Sequence, residues 1–365
     1  MKDSQVKVKL KNHPYNIIIS NDRNKLIANF KKLKGVEKIF IITDDAVEPL
    51  YLKDLQKLLK GAGFIINSAV IRAGEKSKDI KNLQKLYEAA LESSIDRKSC
   101  ALALGGGVVG DLAGFFASTY MRGIKFVQMP TTLLAMADSA VGGKTAITTG
   151  NAKNIAGTFK QPDFVFIDTT FLSSLPLRQM QNGMAEVFKY AFILDRDFYI
   201  WFMRFFQKEN NLSKMDFNYV VFKCCSFKAE IVCKDEKDIN GIREILNFGH
   251  TLGHAIETYF NYEKFLHGEG VAIGMLFGGY LSDIVYKKNT IYKSIKELLS
   301  FVFADFHVGK ISSGKIIEIM KKDKKTFNHQ IRFVLLKAIG KAKSGQNIED
   351  KVLQKYLDKF LMEIE

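Results

Sequence analysis

Three of the six histidines, His250, His254 and His267, fall within eighteen positions of one another. The His250-Thr-Leu-Gly-His254 spacing puts two imidazoles one helical turn apart on the same face. His267 follows in a loop, Leu266-His267-Gly268-Glu269-Gly270, that leads into the next helical stretch. Upstream, Glu186 lies inside another helical stretch, Gly183 to Lys189. One carboxylate with two or three imidazoles from separate helices suits a catalytic zinc that keeps an open position. A single histidine is more often a cap or a core residue than a ligand, so the cluster with its acid is what points to a metal. Spacing alone leaves two readings of the pair: both His250 and His254 ligate, or one ligates while the other moves protons.

A second constellation is rich in glycine. Cys100-Ala-Leu-Ala-Leu104 reads as a buried strand, and Gly105-Gly-Gly-Val-Val-Gly-Asp111 then opens a helix running to about Thr119. Glycine permits the tight turn and the close approach of a diphosphate, while the free N–H groups and the positive end of the helix favour its charge. Gly105, Gly107 and Gly110 satisfy the GxGxxG spacing. The usual fingerprint adds an acid about 20 positions on, where this chain has Met129-Pro130-Thr131-Thr132. The pattern predicts a dinucleotide or another phosphate; its plainer reading is a turn between a strand and a helix.

The third constellation is basic. Asp138-Ser-Ala-Val-Gly-Gly-Lys144-Thr145 is followed by Lys153-Asn154. It is no P-loop, because Asp138 stands where that motif needs glycine. Lys189, Lys228, Arg243 with Asn247, and the Lys321–Lys325 run add candidates for gripping phosphate or carboxylate. For the last of these a solvated charge run is the commoner meaning.

Two halves of different periodicity position these residues. Up to about residue 170, short apolar strands (Val6–Leu10, Tyr15–Ser20, Lys38–Thr43, Phe64–Ile71, Cys100–Leu104, Lys125–Met129 and Asp163–Asp168) alternate with helical stretches. That alternation predicts an α/β domain, residues 1–170, with a Rossmann-like parallel sheet. After Leu175-Pro176 the apolar period becomes 3.6, and only Ile331–Leu336 is strand-like. Residues 171–365 are therefore expected to form a mainly α-helical domain.

The chain of 365 residues is long enough for a large core and two domains. A net charge of +15 admits nucleic acid, an anionic surface or anionic small molecules. Much of it is lysine on polar helix faces, and no basic stretch interleaved with aromatics appears, so no nucleic-acid partner is expected. Met1-Lys-Asp-Ser-Gln5 lacks a signal-peptide core, and no apolar run reaches a membrane span. Cysteines at 100, 224, 225 and 233 form no CxxC pair. Reduced thiols in a cytoplasmic protein follow from that usage.

Taken together, Gly105–Phe115, Tyr120–Gly123, Pro130–Leu134, Asp138–Lys144, Lys153-Asn154, Leu246–Ile256 and His267–Ala272 resemble the 3-dehydroquinate synthase family of sugar-phosphate cyclases, from about Ile17 to Ile339. The resemblance implies a homodimeric, phosphate-eliminating lyase that uses NAD and a divalent metal, zinc or cobalt, with its active site in a cleft between two domains. Its reaction turns 3-deoxy-D-arabino-heptulosonate 7-phosphate into 3-dehydroquinate and phosphate in the shikimate pathway. The steps are transient oxidation by NAD, phosphate elimination, reduction and internal aldol closure.

Carried over by position, the resemblance makes Glu186, His250 and His267 the metal ligands and His254 a catalytic residue. It assigns NAD contacts to Asp44, to Glu75, Lys76, Ser77 and Lys78, to Gly107, Val108, Val109, Gly110 and Asp111, to Thr131, Thr132, Lys144 and Lys153, and to Phe171, Leu172, Ser173 and Ser174. Substrate contacts fall to Asp138, Lys144, Asn154, Lys189, Lys228, Arg243, Asn247 and one of Lys324 or Lys325, with Arg122 lent across a dimer interface. Departures are small: Ala73 precedes Gly74-Glu75, Phe248 replaces a frequent Trp, and the tail after Lys343 is unmatched. A sibling cyclase making an aminocyclitol or valiolone precursor shares the same cofactors, but Arg243 with Lys144 and Asn154 favours a substrate bearing a carboxylate. A metal-dependent polyol dehydrogenase would yield net NADH and needs fewer lysines.

Overall fold

The computed structural model describes residues 3–150, 152–209, 211–322 and 331–364. The chain divides into two compact units, Met1–Pro176 with Asp216–Lys237, and Leu177–Met215 with Asp238–Glu365.

In the first unit the strands are β1 (Ser4–Val8), β2 (Tyr15–Ile19), β3 (Lys38–Asp44), β4 (Ile65–Ile71), β5 (Cys100–Gly105), β6 (Lys125–Pro130), β7 (Lys144–Thr149), β8 (Ala152–Phe159) and β9 (Phe164–Ile167). Seven of them form one sheet in the order β1-β2-β9-β6-β5-β3-β4. β1 runs antiparallel to β2, and the remaining pairs are parallel. All six residues of β5 are buried, as a central parallel strand covered on both faces requires. The core over one face joins Phe40, Ala101 and Ala103 to Leu112 and Phe116 of the Gly107–Thr119 helix and to Tyr120 just past its end. β7 and β8 pair separately as an antiparallel ribbon. The sequence pattern gave no strands there, because residues 144–159 carry glycine, threonine and lysine in place of an apolar run.

The unit boundary differs from residue 170 in one informative way. The helix Phe217–Lys234 belongs to the first unit, not with the helical segments around it. Its Cys225 thiol donates to the Met136 carbonyl at 3.3 Å, and Lys228 Nζ donates to the Asp138 carbonyl at 2.8 Å. Periodicity reveals that such a segment is a helix, yet it carries no information on which core receives the buried face.

The second unit packs seven α-helices and two short 3-10 helices among the described residues, with the hairpin β10 (Arg332–Ala338) and β11 (Lys341–Asn347). At its centre the helices His250–Tyr259 and His267–Val285 cross at close range. A Cβ at position 274 would lie 1.8 Å from the Gly249 carbonyl oxygen, so only glycine permits the approach. The tail is not a loose appendage. Its helix, Asp350–Glu363, buries Leu353, Leu357 and Phe360, and the Phe360 ring sits 5.1 Å from that of Phe277.

Candidate metal centre and nucleotide edge

The helix Leu177–Ile193 buries thirteen of its seventeen residues, including two that are charged, Glu186 and Lys189. Ionised groups are kept inside only when paired, and here Lys189 Nζ pairs with Glu186 Oε2. The other oxygen, Glu186 Oε1, is buried and accepts no hydrogen bond from the described residues. Two imidazole nitrogens converge on it instead, His250 Nε2 at 3.4 Å and His267 Nε2 at 3.5 Å. Behind each ring the second nitrogen meets an acceptor: His267 Nδ1 lies 2.8 Å from Glu257 Oε1, and His250 Nδ1 lies 3.2 Å from the Phe248 carbonyl.

His254 completes a triangle of rings. Its centroid is 5.2 Å from that of His250 and 5.7 Å from that of His267. One nitrogen from each of the three imidazoles falls within 4.8 Å of the others. The four residues singled out by type and spacing therefore come together within the second unit.

Electrostatics in this cluster are strongly coupled. Burial by itself would raise the Glu186 pKa, but Lys189 and then His267 hold it down to about 2. Burial would lower that of His267, whereas Glu186 and Glu257 push it up to about 10. An anionic oxygen without a hydrogen-bond donor, faced by two Nε2 atoms whose rings are backed by acceptors, is a donor set suited to a divalent zinc-like ion.

Helix N-terminal chemistry sets the register. Arg178, Asn182 and Glu186 lie four apart on one helix. Asn182 Oδ1 accepts from the Gly268 N–H at 2.6 Å, and Arg178 pairs through Nε with Glu269 Oε1 at 2.7 Å. Glu269 Oε2 in turn accepts from the Leu266 N–H at 2.8 Å, closing the first turn of the His267 helix. Sequence reasoning missed Asn182, Arg178 and Glu257. The signal available for them was the recurrence of glycine at 249, 253, 270, 274 and 278, which marks a close helix crossing.

In the first unit the nucleotide candidates gather along the C-terminal ends of the parallel strands. Asp44 ends β3, Glu75 to Lys78 follow β4, Gly107 to Asp111 follow β5, Thr131 and Thr132 follow β6, and Phe171 to Ser174 follow β9. Strand order reverses between β3 and β5, the place where open α/β sheets bind ligands. Gly106 caps the Gly107–Thr119 helix, so Gly107, Val108, Val109 and Gly110 form its first turn.

Lys78, only 4% exposed, bridges Asp111 Oδ2 at 2.9 Å and Glu75 Oε1 at 3.2 Å. Burial would lower its pKa, and the two carboxylates more than reverse that. Ser77 is buried beside it and Lys76 is exposed. Asp44 Oδ1 accepts from the Ala46 and Val47 N–H groups at 3.1 and 2.9 Å, while burial raises its pKa. The Thr131 hydroxyl is buried and without a partner among the described residues. Tyr51 bonds to Ser174 Oγ, and its ring lies tilted against that of Phe171 with centroids 4.4 Å apart, beside buried Leu172 and exposed Ser173.

The basic candidates divide between the units. Lys228 Nζ pairs with Asp138 Oδ2 at 2.8 Å, with Lys144 at the start of β7 and Lys153 and Asn154 on β8 in the same unit. Asn154 adopts a left-handed φ of 56°. Lys189, Arg243 and Asn247 belong to the second unit, the latter two on the short helix Ile242–Asn247, where Arg243 is buried. Arg122 is exposed in a turn where Met121, Arg122 and Gly123 have φ of 50°, 65° and 116°. Lys324 and Lys325 lie outside the described residues. No helix among the described residues is long and apolar enough to cross a membrane.

Comparison with known proteins adds three kinds of likeness. The N-terminal domain model of 3-dehydroquinate synthase matches residues 68–182, and its C-terminal domain model matches 183–326. The 3-dehydroquinate synthase of Endomicrobium trichonymphae is 49% identical over 358 residues, 98% of each chain. Among solved structures, 2-deoxy-scyllo-inosose synthase complexed with carbaglucose-6-phosphate, NAD+ and Co2+ has a TM-score of 0.85 at 22% identity, covering 98% of this chain and 100% of that one. A 2-epi-5-epi-valiolone synthase from Streptomyces hygroscopicus subsp. jinggangensis, with NAD+ and Zn2+ bound, gives 0.83 at 23%, covering 97% and 99%. These two establish a shared fold, a parallel-sheet unit followed by a helical one.

Proposed function

The chain belongs to the 3-dehydroquinate synthase family, and from that premise we propose that it converts 3-deoxy-D-arabino-heptulosonate 7-phosphate to 3-dehydroquinate and phosphate. The observation that carries the reading is the convergence of His250 Nε2 and His267 Nε2 on the buried Glu186 Oε1. Such a cluster has no role in a simple binding module.

Glu186, His250 and His267 would hold the divalent ion, and zinc or cobalt bound there would supply Lewis-acid polarisation of a substrate oxygen. NAD bound at the nucleotide edge would supply reversible hydride chemistry, and the overall conversion has no net redox change. The Gly107–Asp111 turn, Thr131 and Thr132 take the diphosphate, Asp44 takes a ribose hydroxyl, and Lys78 with Glu75 and Asp111 fixes the loop over the cofactor. Lys76, Ser77, Lys153 and Phe171 to Ser174 line the same cofactor.

His254, one turn from His250, moves protons, a role for which an imidazole side chain is suited. Lys144, Lys189, Lys228, Arg243, Asn154 and Asn247 hold the carboxylate and phosphate of the substrate, and Asp138 orients Lys228. Arginine suits the carboxylate because its planar fork binds both oxygens. The enzyme is a carbon–oxygen lyase that works as a cytoplasmic homodimer, with Arg122 completing the site of the partner subunit. One of Lys324 or Lys325 adds a further cation.

The test supplies the heptulosonate phosphate with NAD and Co2+ and follows phosphate and carbocyclic product together. Equal amounts of phosphate and 3-dehydroquinate are expected. Turnover of a sugar phosphate lacking the carboxylate, with none of the heptulosonate, would mark a sibling cyclase instead.

A further inference from the structure

We infer that Glu257 is a positioning residue for the metal centre, holding His267 with its Nε2 turned toward Glu186. The inference rests on the reading of Glu186, His250 and His267 as metal ligands.

Glu257 lies two turns beyond His250 on the same helix and is 3% exposed. A buried carboxylate is costly unless a specific partner repays it, and here Oε1 sits 2.8 Å from His267 Nδ1. An ionised carboxylate only accepts, so Nδ1 must carry a hydrogen, and Nε2 is the nitrogen that would give up its proton to a bound ion. That ring otherwise has little to hold it: His267 is the first residue of its helix and its side chain is 34% exposed.

The two rings are backed unequally. His250 Nδ1 faces a neutral carbonyl, that of Phe248, at 3.2 Å. His267 faces a full negative charge at shorter range. A carboxylate behind an imidazole makes the ring a stronger donor and fixes its orientation, so His267 is the ligand whose strength the protein tunes. Glu257 also adds a second buried negative charge beside that of Glu186, offsetting part of a dication's charge without occupying its coordination sphere.

The experiment measures Co2+ affinity by chelator competition for the full-length wild type and for Glu186→Gln, Glu257→Gln and Glu257→Leu, with NAD affinity as the folding control. Glu257→Gln keeps an acceptor oxygen and loses the charge; it should bind Co2+ about 10–100-fold more weakly with NAD affinity unchanged. Glu257→Leu, if it folds, should lose at least as much. Co2+ affinity of Glu257→Gln within twofold of wild type, with Glu186→Gln strongly impaired, would overturn the role of Glu257 alone. Equal affinity for wild type and Glu186→Gln would overturn the metal reading beneath it.

Discussion

Asn182 Oδ1 accepts a 2.6 Å hydrogen bond from the N–H of Gly268, and this bond ties the Glu186 helix to the first turn of the His267 helix. The contact is tight enough to exclude any side chain at 268, since a Cβ there would lie 2.0 Å from the Asn182 carbonyl oxygen. Replacing Gly268 by alanine must therefore push the two helices apart. Gly268→Ala is expected to cost roughly 1–3 kcal/mol of stability and to weaken metal binding at the same time. Denaturant unfolding and chelator competition on the same variant check both; wild-type values in each would remove this contact from the account.

His254 separates the two readings of the helix pair that spacing left open. Glu186→Gln, His250→Ala and His267→Ala should each lose the metal on dialysis. His254→Ala should keep it and turn over about 10²–10⁴-fold more slowly, the usual contribution of a proton-transfer residue. Metal analysis of the four dialysed variants decides, and a metal-free His254→Ala would make His254 a ligand.

Lys78 is the brace of the nucleotide edge. Lys78→Met leaves Asp111 without its 2.9 Å partner, which should lower stability on the order of 3 kcal/mol and weaken NAD binding. The Lys78 pKa is raised above its ordinary value. Its stabilising contribution is therefore fully present below the unfolded-state pKa and is lost as pH climbs through the folded one. The gap between wild type and Lys78→Met should accordingly stay constant from neutral pH to about pH 10 and close only above it. Calorimetry across that range tests the sign, and a gap that closes near neutrality would refute it.

Thiol chemistry gives a check that bypasses the active site. Cys100, Cys224 and Cys225 are buried and Cys233 is exposed. Burial pushes the Cys100 thiol well above its ordinary pKa and that of Cys225 up to about 12, so neither offers a thiolate at pH 8. A thiol reagent should label one cysteine in the native protein and four after denaturation. Rapid labelling of Cys225 would mean that the Phe217–Lys234 helix leaves the first unit.

How much of this was readable in the residues follows from where each signal resides. Strands such as Cys100–Gly105 are legible because burial on both faces demands an unbroken apolar run. The histidine–glutamate cluster is legible because two histidines at helical spacing, with a third nearby and a glutamate in another helix, are chemically conspicuous. Residues that act across helices leave no such mark. Glu257 looks like any helical glutamate until its carboxylate is seen behind the His267 ring, and Asn182 matters only through the neighbour it meets. The Phe217–Lys234 helix shows the same limit at the level of a whole element. The β7–β8 ribbon escaped because its residues were chosen for turns and cations, not for burial.

In the proposed reaction NAD is consumed and regenerated within each turnover, and the decisive measurement counts phosphate released per NAD supplied. With NAD well below the concentration of heptulosonate phosphate, phosphate should rise far past the NAD added, 3-dehydroquinate should match it, and NADH absorbance should show no lasting increase. Product that stops at one equivalent of NAD, with NADH accumulating in step, would contradict the account and identify a plain dehydrogenase.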